Sequence, residues 1–558
     1  MKSQYLKLLS ALVLIASSAE AFHDSRKFAD SDDRKAVLIP SQEHRLALDS
    51  GWFYVDEEDL GFQASFSGWD PKRDARVSSL NIGTKALAMI QDASDFIVAS
   101  AFLFDNMYAE NLSYDRDIVT EFTDAIIKKK QENPNIKIAL IFDPLQRAYE
   151  RRQAPSIKRM RENGIDIFYS DLLRTKAHTP IKVFEAGHHT MRLFSQMLGG
   201  LPNTALKSIT QNIPVPMAPA IDDYPSSLQT AFNAALVKAN HRKILVVGGK
   251  DYYEALVSSA NPHNASLPSS NNSMSVRGDL ALYIYESLRE DIRQCLHHGT
   301  EDYVLWNTSA SEEYKASYLK EQLKPVNLDK LDRGSGTAKV KYVTEIKIKE
   351  SIIKNLDAVY GNDKVRIQMF YLSDIDVVRA IARAAQRVNR PIEILLDPNK
   401  DAFNSIKDGT PNRQVAAFLM NRVQQGDYKK LAKHFPSILN DRGMYYPLNI
   451  HLRWFHTNGE QNHAKTMSIT NEMTGKYILI NGSSNWTGKN LNNINLEANL
   501  VTDGAIAVTE KFNRFFDKFF FNQGDKIYSL NYENQEGYHE HAGINKWLKG
   551  EKYGFVSW

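Results

Sequence analysis

His241-Arg242-Lys243-Ile244-Leu245-Val246-Val247 and, 222 residues later, His463-Ala464-Lys465-Thr466-Met467-Ser468-Ile469 are two versions of one stretch. Each His-x-Lys is followed by a Ser-x-Asn, Ser259-Ala260-Asn261 in one case and Ser483-Ser484-Asn485 in the other. A carboxylate comes after each, Asp279 and Glu497. Residues two apart on a strand face the same side, so each His is expected to project with its Lys. Two such strands brought face to face gather two imidazoles and two ammonium groups around one small anion. That is the equipment for displacement at a phosphodiester.

The repeat extends outward from the two stretches. In the first half an amphipathic segment around 84–94 leads into the apolar run 95–105, then a helical stretch, 118–130, then the strand Ile136-Lys137-Ile138-Ala139-Leu140-Ile141-Phe142-Asp143-Pro144. In the second half a helix near 346–360 precedes 365–374, a helix over 376–388 follows, and then comes Ile392-Glu393-Ile394-Leu395-Leu396-Asp397-Pro398. Strands alternating with helices predict a mainly parallel, mixed sheet covered on both faces. The duplication predicts two such α/β/α units related by a pseudo-twofold axis. The expected organisation is 22–330 and 331–558, each with one His-x-Lys, and the best candidate linker is 329–338 with Arg333-Gly334-Ser335-Gly336-Thr337. The Ser- and Asn-rich segment 261–275 reads as a loop. The insertions between each Asp-Pro and its His-x-Lys are expected to shape substrate access.

Composition bounds the rest. At 558 residues, 43% hydrophobic and 24% charged, the chain suits two ordinary cores. A net charge of +3 is too small to imply a nucleic-acid or acidic-membrane partner by itself. One cysteine, Cys295, excludes an intrachain disulfide and reads as a small buried hydrophobe. Lys2, Lys7, the apolar 8–16 and Ala19-Glu20-Ala21 read as a cleavable signal over 1–21, with a mature start at Phe22 and a secreted or periplasmic protein. His188-His189, His297-His298 and His539-Glu540-His541 lack the spacing of a metal site, and no metal or other cofactor is expected. The sequons at Asn264, Asn271, Asn481 and Asn485, among others, read as chance.

With those residues in view, the chain resembles the phospholipase D superfamily, whose signature is His-x-Lys-x4-Asp with a later Gly-Ser-x-Asn and an acid. The second copy fits through His463, Lys465, Gly482-Ser483-Ser484-Asn485 and Glu497. The first is looser, with Ser258 in place of the glycine and a longer gap to Asp279. Gly248 and Thr470 stand where the signature has its aspartate. The resemblance implies two halves packed to form one site at their junction. It also implies His241 as nucleophile, through a covalent phosphohistidine, and His463 as general acid and base. Lys243, Lys465, Asn261 and Asn485 are then expected to offset the phosphoryl charge, and Ser259 and Ser483 to bond the same oxygens or the lysines. Asp279 and Glu497 are expected to hold the far ring nitrogens. Two copies in one chain imply a phospholipase D or a cardiolipin-synthase-like phosphatidyltransferase, acting on phospholipid at a membrane surface with water or an alcohol as acceptor. No obligatory protein partner is implied. A secreted endonuclease of the same superfamily is the rival enzyme, and a catalytically silent lipid- or phosphate-binding protein is the non-enzyme alternative.

Overall fold

Apolar runs ended by aspartate and helices begun by it build each half. A computed structural model describes residues 47–106, 116–143, 155–170, 239–295, 318–398, 412–423, 431, 433–435, 447–457, 460–534 and 547–548. The segment 1–21 expected to be a signal, residues 22–46, His188-His189, His297-His298, residues 214–219 and His539-Glu540-His541 lie outside the described residues. The first half contains β1 (Phe53–Val55), β2 (Leu60–Asp70), β3 (Ala75–Leu80), α1 (Asn81–Asp92) and β4 (Phe96–Ala101). It continues with α2 (Ile118–Glu132), β5 (Lys137–Phe142), α3 (Pro155–Glu162), β6 (Asp166–Tyr169), β7 (Ile244–Gly248), β8 (Tyr253–Ser258), β9 (Asn271–Arg277) and α4 (Asp279–Cys295). The second half has β10 (Ala338–Thr344), α5 (Ile346–Asp357), β11 (Lys364–Met369), α6 (Ile375–Ala385), β12 (Ile392–Leu396), α7 (Asn412–Leu419) and β13 (Ile450–Phe455). It ends with β14 (Lys465–Asn471), β15 (Lys476–Gly482), α8 (Gly488–Leu491), β16 (Ala498–Asp503), α9 (Ile506–Phe520) and β17 (Ser529–Asn531).

Local chemistry explains several boundaries. Asp117 caps α2 by accepting from Thr120 N at 3.0 Å, and Asp374 caps α6 by accepting from Asp376 N and Val377 N. In α1 the buried residues Ile82, Ala86, Met89 and Ile90 fall on one helical face.

The two sheets share one strand order. The eight-stranded sheet runs β3-β2-β9-β8-β7-β4-β5-β6, and the nine-stranded sheet runs β1-β10-β16-β15-β14-β11-β12-β13-β17. From β2 and from β10 onward the sequence of neighbours is the same, which is the pseudo-twofold repeat in three dimensions. Both units are mixed α/β, as expected, but parallel pairing is the minority. It is confined to β4–β5, β5–β6, β11–β12 and β12–β13, and every other ladder is antiparallel. The reason lies in the connections. Only the strands joined through crossover helices must run parallel, whereas β7-β8-β9 and β14-β15-β16 meander.

The layers follow from the cores. Helices α1, α2 and α3 cover the outer face of the first sheet, and α5, α6 and α7 that of the second. Between the sheets lies one shared core, to which α4 and α9 both contribute, including Ile284, Leu288, Phe512 and Phe516. Phe62 of β2 meets Phe512 of α9 edge-on at 5.7 Å. Cys295 is buried at the end of α4.

One expected segment gains detail and another needs correction. The linker 329–338 is not free along its length, because Tyr54 N donates to Arg333 O at 2.6 Å and Gly336 N to Tyr54 O at 3.3 Å. A Cβ on Gly334 would stand 2.1 Å from Tyr54 O, and one on Gly336 2.1 Å from the carbonyl carbon of Val55, so backbone contact demands glycine at both. This strap holds β1, which belongs to the second sheet although it precedes the first. The segment 261–275 is not wholly loop either, since β9 begins at Asn271. Its polar side chains are buried against the other half. Asn272 Nδ2 donates to Gln368 Oε1 at 3.2 Å and to Thr466 Oγ1 at 2.9 Å.

Candidate active site

Each His-x-Lys sits at the entry to a central strand, His241 and Lys243 just before β7 and Lys465 as the first residue of β14. The aspartates of the two Asp-Pro endings set the approach. Asp143 accepts from Asn240 N, and Asp397 accepts from Asn462 N at 2.8 Å. Both asparagines are fully buried and satisfied, Asn240 by Ser100 and Ser170 and Asn462 by the carbonyls of Met369 and Leu395. Short parallel bridges then join the halves reciprocally, Asn240 with Leu496 and Asn462 with Ser270.

The residues after those bridges take the histidines of the opposite half. Glu497 Oε1 lies 2.8 Å from His241 Nδ1, and Asn271 Oδ1 lies 2.9 Å from His463 Nδ1. The serines of the Ser-x-Asn motifs brace these partners in matching ways. Ser483 Oγ donates to Glu497 Oε2 and accepts from Ala498 N at 3.0 Å. Ser259 Oγ donates to Asn271 Oδ1 at 3.0 Å and accepts from Asn272 N at 3.0 Å. Asn271 Nδ2 donates to Ser269 O, so it is the amide oxygen that faces His463. With Nδ1 as the donor to Glu497, the neutral His241 ring keeps its lone pair on Nε2. Phe102 and Phe370 back the two imidazoles, with ring centroids 5.1 and 4.7 Å away.

The lysines repeat the symmetry. Lys243 Nζ donates to His241 O and Lys465 Nζ to His463 O, each at 2.6 Å. Both side chains are buried, and burial drives both ammonium groups toward neutrality, Lys243 down to about 7 and Lys465 well below its ordinary value. The two ammonium groups also repel one another, which lowers Lys465 further. Lys489, in the short helix α8, is buried too and pushed down to about 8 by that burial. Burial, together with the fields of Lys243, Lys465 and Lys489, holds His241 well below the usual imidazole range, so it stays neutral at pH 7. Burial pushes Glu497 up to about 8. Among the described residues no three His, Cys, Asp or Glu side chains gather to hold a metal ion. No described helix is long and apolar enough to cross a membrane.

The structure brings His241, Lys243, His463, Lys465, Ser259, Ser483 and Glu497 together, with Asn261 and Asn485 buried beside them. It does not bring Asp279. That carboxylate opens α4 and accepts from the exposed Asp332 N at 2.6 Å, while the place it was expected to fill is held by Asn271. The serines, too, are committed to Glu497 and Asn271 rather than turned to a substrate oxygen. Sequence reasoning missed Asn271, whose signal is its position: it follows Ser259 by 12 residues, as Glu497 follows Ser483 by 14. Lys489 and Asn490, which donates to Glu497 Oε1, were missed as well. The absent signature aspartates leave the site intact. Gly248 lies five residues beyond Lys243, about 16 Å along the strand. Its Cβ would collide with the Phe96 ring at 2.7 Å.

Comparison with known proteins gives the following. The family model described as cardiolipin synthase, PLD-like domain matches residues 356–520. None of the curated proteins compared matches the chain. Among solved structures, the phosphatidylserine synthase of Haemophilus influenzae Rd KW20 is similar at 12% identity, over 90% of this chain and 93% of that one, with a TM-score of 0.48. The polyphosphate kinase of Porphyromonas gingivalis is similar at 12% identity over 85% and 51%, with a TM-score of 0.38. The phospholipase D family member Nuc of Salmonella typhimurium is similar at 16% identity over 34% and 99%, with a TM-score of 0.23. The segment matched by the family model carries His463, Lys465, Asn485 and Glu497. By that match the second half carries a PLD-like domain, and the first half repeats its strand order and its His-x-Lys.

Proposed function

We propose that this protein is an exported phosphodiesterase of the phospholipase D type, which cleaves the head-group phosphodiester of a phospholipid through a phosphohistidine and without a metal. The observation that carries this reading is the crosswise tethering of the two imidazoles. Each is held at Nδ1 by the opposite half, beside the buried lysine of its own motif. Neutral His241 attacks phosphorus through Nε2 as the bond to the head-group oxygen breaks. His463, protonated at Nε2, gives its proton to that leaving oxygen. In the second step His463 takes a proton from water or an alcohol, whose oxygen displaces His241 from phosphorus. The products are phosphatidate or a phosphatidyl alcohol and the free enzyme. Lys243 and Lys465, with Asn261 and Asn485, offset the charge that builds on the phosphoryl oxygens.

The test is head-group release from mixed phospholipid vesicles in EDTA, with and without ethanol, for the parent and for His463→Ala. Release together with phosphatidylethanol, both lost in the variant, is the expected result. No release from any phospholipid would overturn the reading and turn attention to plasmid and single-strand digestion.

A further inference from the structure

The two halves differ in how they fill the space between sheet and covering helices. In the second half Ile352 of α5, Ile367 and Met369 of β11, and Trp486 after Asn485 are all buried in the core beneath α5 and α6. β4 and β11 both end one residue before the phenylalanine that backs a histidine, and the buried rows Ile82-Ala86-Ile90 of α1 and Ile348-Ile352-Leu356 of α5 have the same spacing, which together fix the correspondence. At the matching places the first half has Ala86, Ala99, Ala101 and Pro262. Pro262 also lacks the N–H with which Trp486 donates to Tyr371 O at 2.8 Å.

Those smaller side chains leave an apolar cavity of about 110 Å³ between α1, α2 and the first sheet. A single water needs roughly 10–15 Å³, and a space with such walls stays dry. Its direction follows from the topology, because β4 runs toward the site and Ile97 and Ala101 both line the cavity. That is four residues of strand, about 13 Å. The far end is walled by Ile90, Ile97 and Ile126, while Lys243, Asn261 and Asn271 line the other. The cavity is therefore continuous with the catalytic centre. One leaflet of a bilayer's hydrocarbon core is about 15 Å deep, so the length suits a single chain of a membrane lipid.

We propose that this cavity holds one acyl chain of the substrate, so that the lipid is bound by a tail in the first half as well as by its phosphate. The inference rests on the phospholipid reading above and gives that site a built preference for long-chain diesters. In the second half Trp486, Ile352, Ile367 and Met369 fill the corresponding place, so the substrate enters in one orientation.

The experiment fills the cavity by copying the second half into the first, as Ala86→Ile with Ala99→Ile. Binding is read with cis-parinaric acid as the fluorescent probe, on the parent, on the filled variant and on His463→Ala. Turnover is read on dioleoyl vesicles and on bis(p-nitrophenyl) phosphate, which has no chain. The expected result is equal probe binding by parent and His463→Ala, weakened at least about tenfold in the filled variant. Dioleoyl turnover falls by a similar factor, while the small diester is cleaved at the parent rate. Thermal unfolding reports whether the filled variant folds, and the milder Ala99→Val serves if it does not. Parent-like probe binding by a folded filled variant overturns the inference, as does equal slowing of both substrates. Probe binding lost on filling, in a parent that cleaves no phospholipid, instead overturns the phospholipase reading and leaves an apolar-chain site. Phospholipid cleavage with no probe binding does the reverse.

Discussion

His463 rests on an amide oxygen where His241 rests on a carboxylate, and that single difference separates two otherwise matched imidazoles. Asn271 orients His463 without lending it negative charge. Asn271→Ala is expected to lower kcat by about one to two orders of magnitude with little change in KM, the ring having lost its anchor. Asn271→Asp should restore much of the rate and move the pH profile to higher pH, because a carboxylate favours imidazolium. Parent-like kcat in the alanine variant would contradict the role. The lysines make a second residue-level prediction. Lys243 titrates at about 7 and Lys489 at about 8 because both are buried, so each loses its charge as pH rises through that range. An anion in the site favours the ammonium form, and phosphate binding at pH 8 should therefore take up protons. Calorimetry in two buffers of different ionisation enthalpy measures this, and kcat/KM should fall over the same interval. At this scale the histidines, lysines, serines and Glu497 were legible because the motif is duplicated. Asn271 was not, because an asparagine carries no acidic signature and its role exists only where two halves meet.

Among the elements, the junction between β7 and β16 is tied by a buried arginine. Arg242 extends between His241 and Lys243, and its Nη1 donates to Asp291 of α4 while its Nη2 donates to Glu345 Oε1 at 2.8 Å. The same Glu345 oxygen accepts from Glu497 N at 3.0 Å, so one carboxylate links the first half's motif to the residue that holds its histidine. Glu345 adopts φ of +47°, which for a residue with a Cβ costs about 1 kcal/mol or more. The second half has Ala464 in place of Arg242 and needs no such tie. Arg242→Ala leaves two carboxylates without their cation and should cost about 3–5 kcal/mol in urea unfolding. A loss under about 1 kcal/mol would mean that the pair behaves as an exposed one. The apolar strands and amphipathic helices were readable from periodicity to within a few residues. β9 was not, since a strand of Asn and Ser looks like a loop until the other half supplies its hydrogen-bond partners.

For the molecule as a whole, duplication suggests two folding units, and the packing argues for one. The core between the sheets mixes α4 with α9 and β2 with β10, so neither half buries its inner face alone. β1 crosses over to the second sheet and is clasped there by the strap at Gly334 and Gly336. Calorimetry should therefore give a single transition whose van't Hoff and calorimetric enthalpies agree. Two resolved transitions would show that the halves are separable. The repeat and its length could be read from sequence spacing, and a site at the junction of the halves was what the family resemblance implied. The antiparallel majority and the strand exchange could not, because they depend on which edges meet.

The unequal partners Glu497 and Asn271 also have an evolutionary meaning. A site assembled from two identical copies must give both histidines the same neighbour, since one gene encodes both. Once the copies are joined in one chain, each can mutate alone. A carboxylate on one side and an amide on the other is a state open only to the fused form. Having taken it, the two halves can no longer stand in for one another, and the chain cannot return to a symmetric dimer of either half without rebuilding one side of its site.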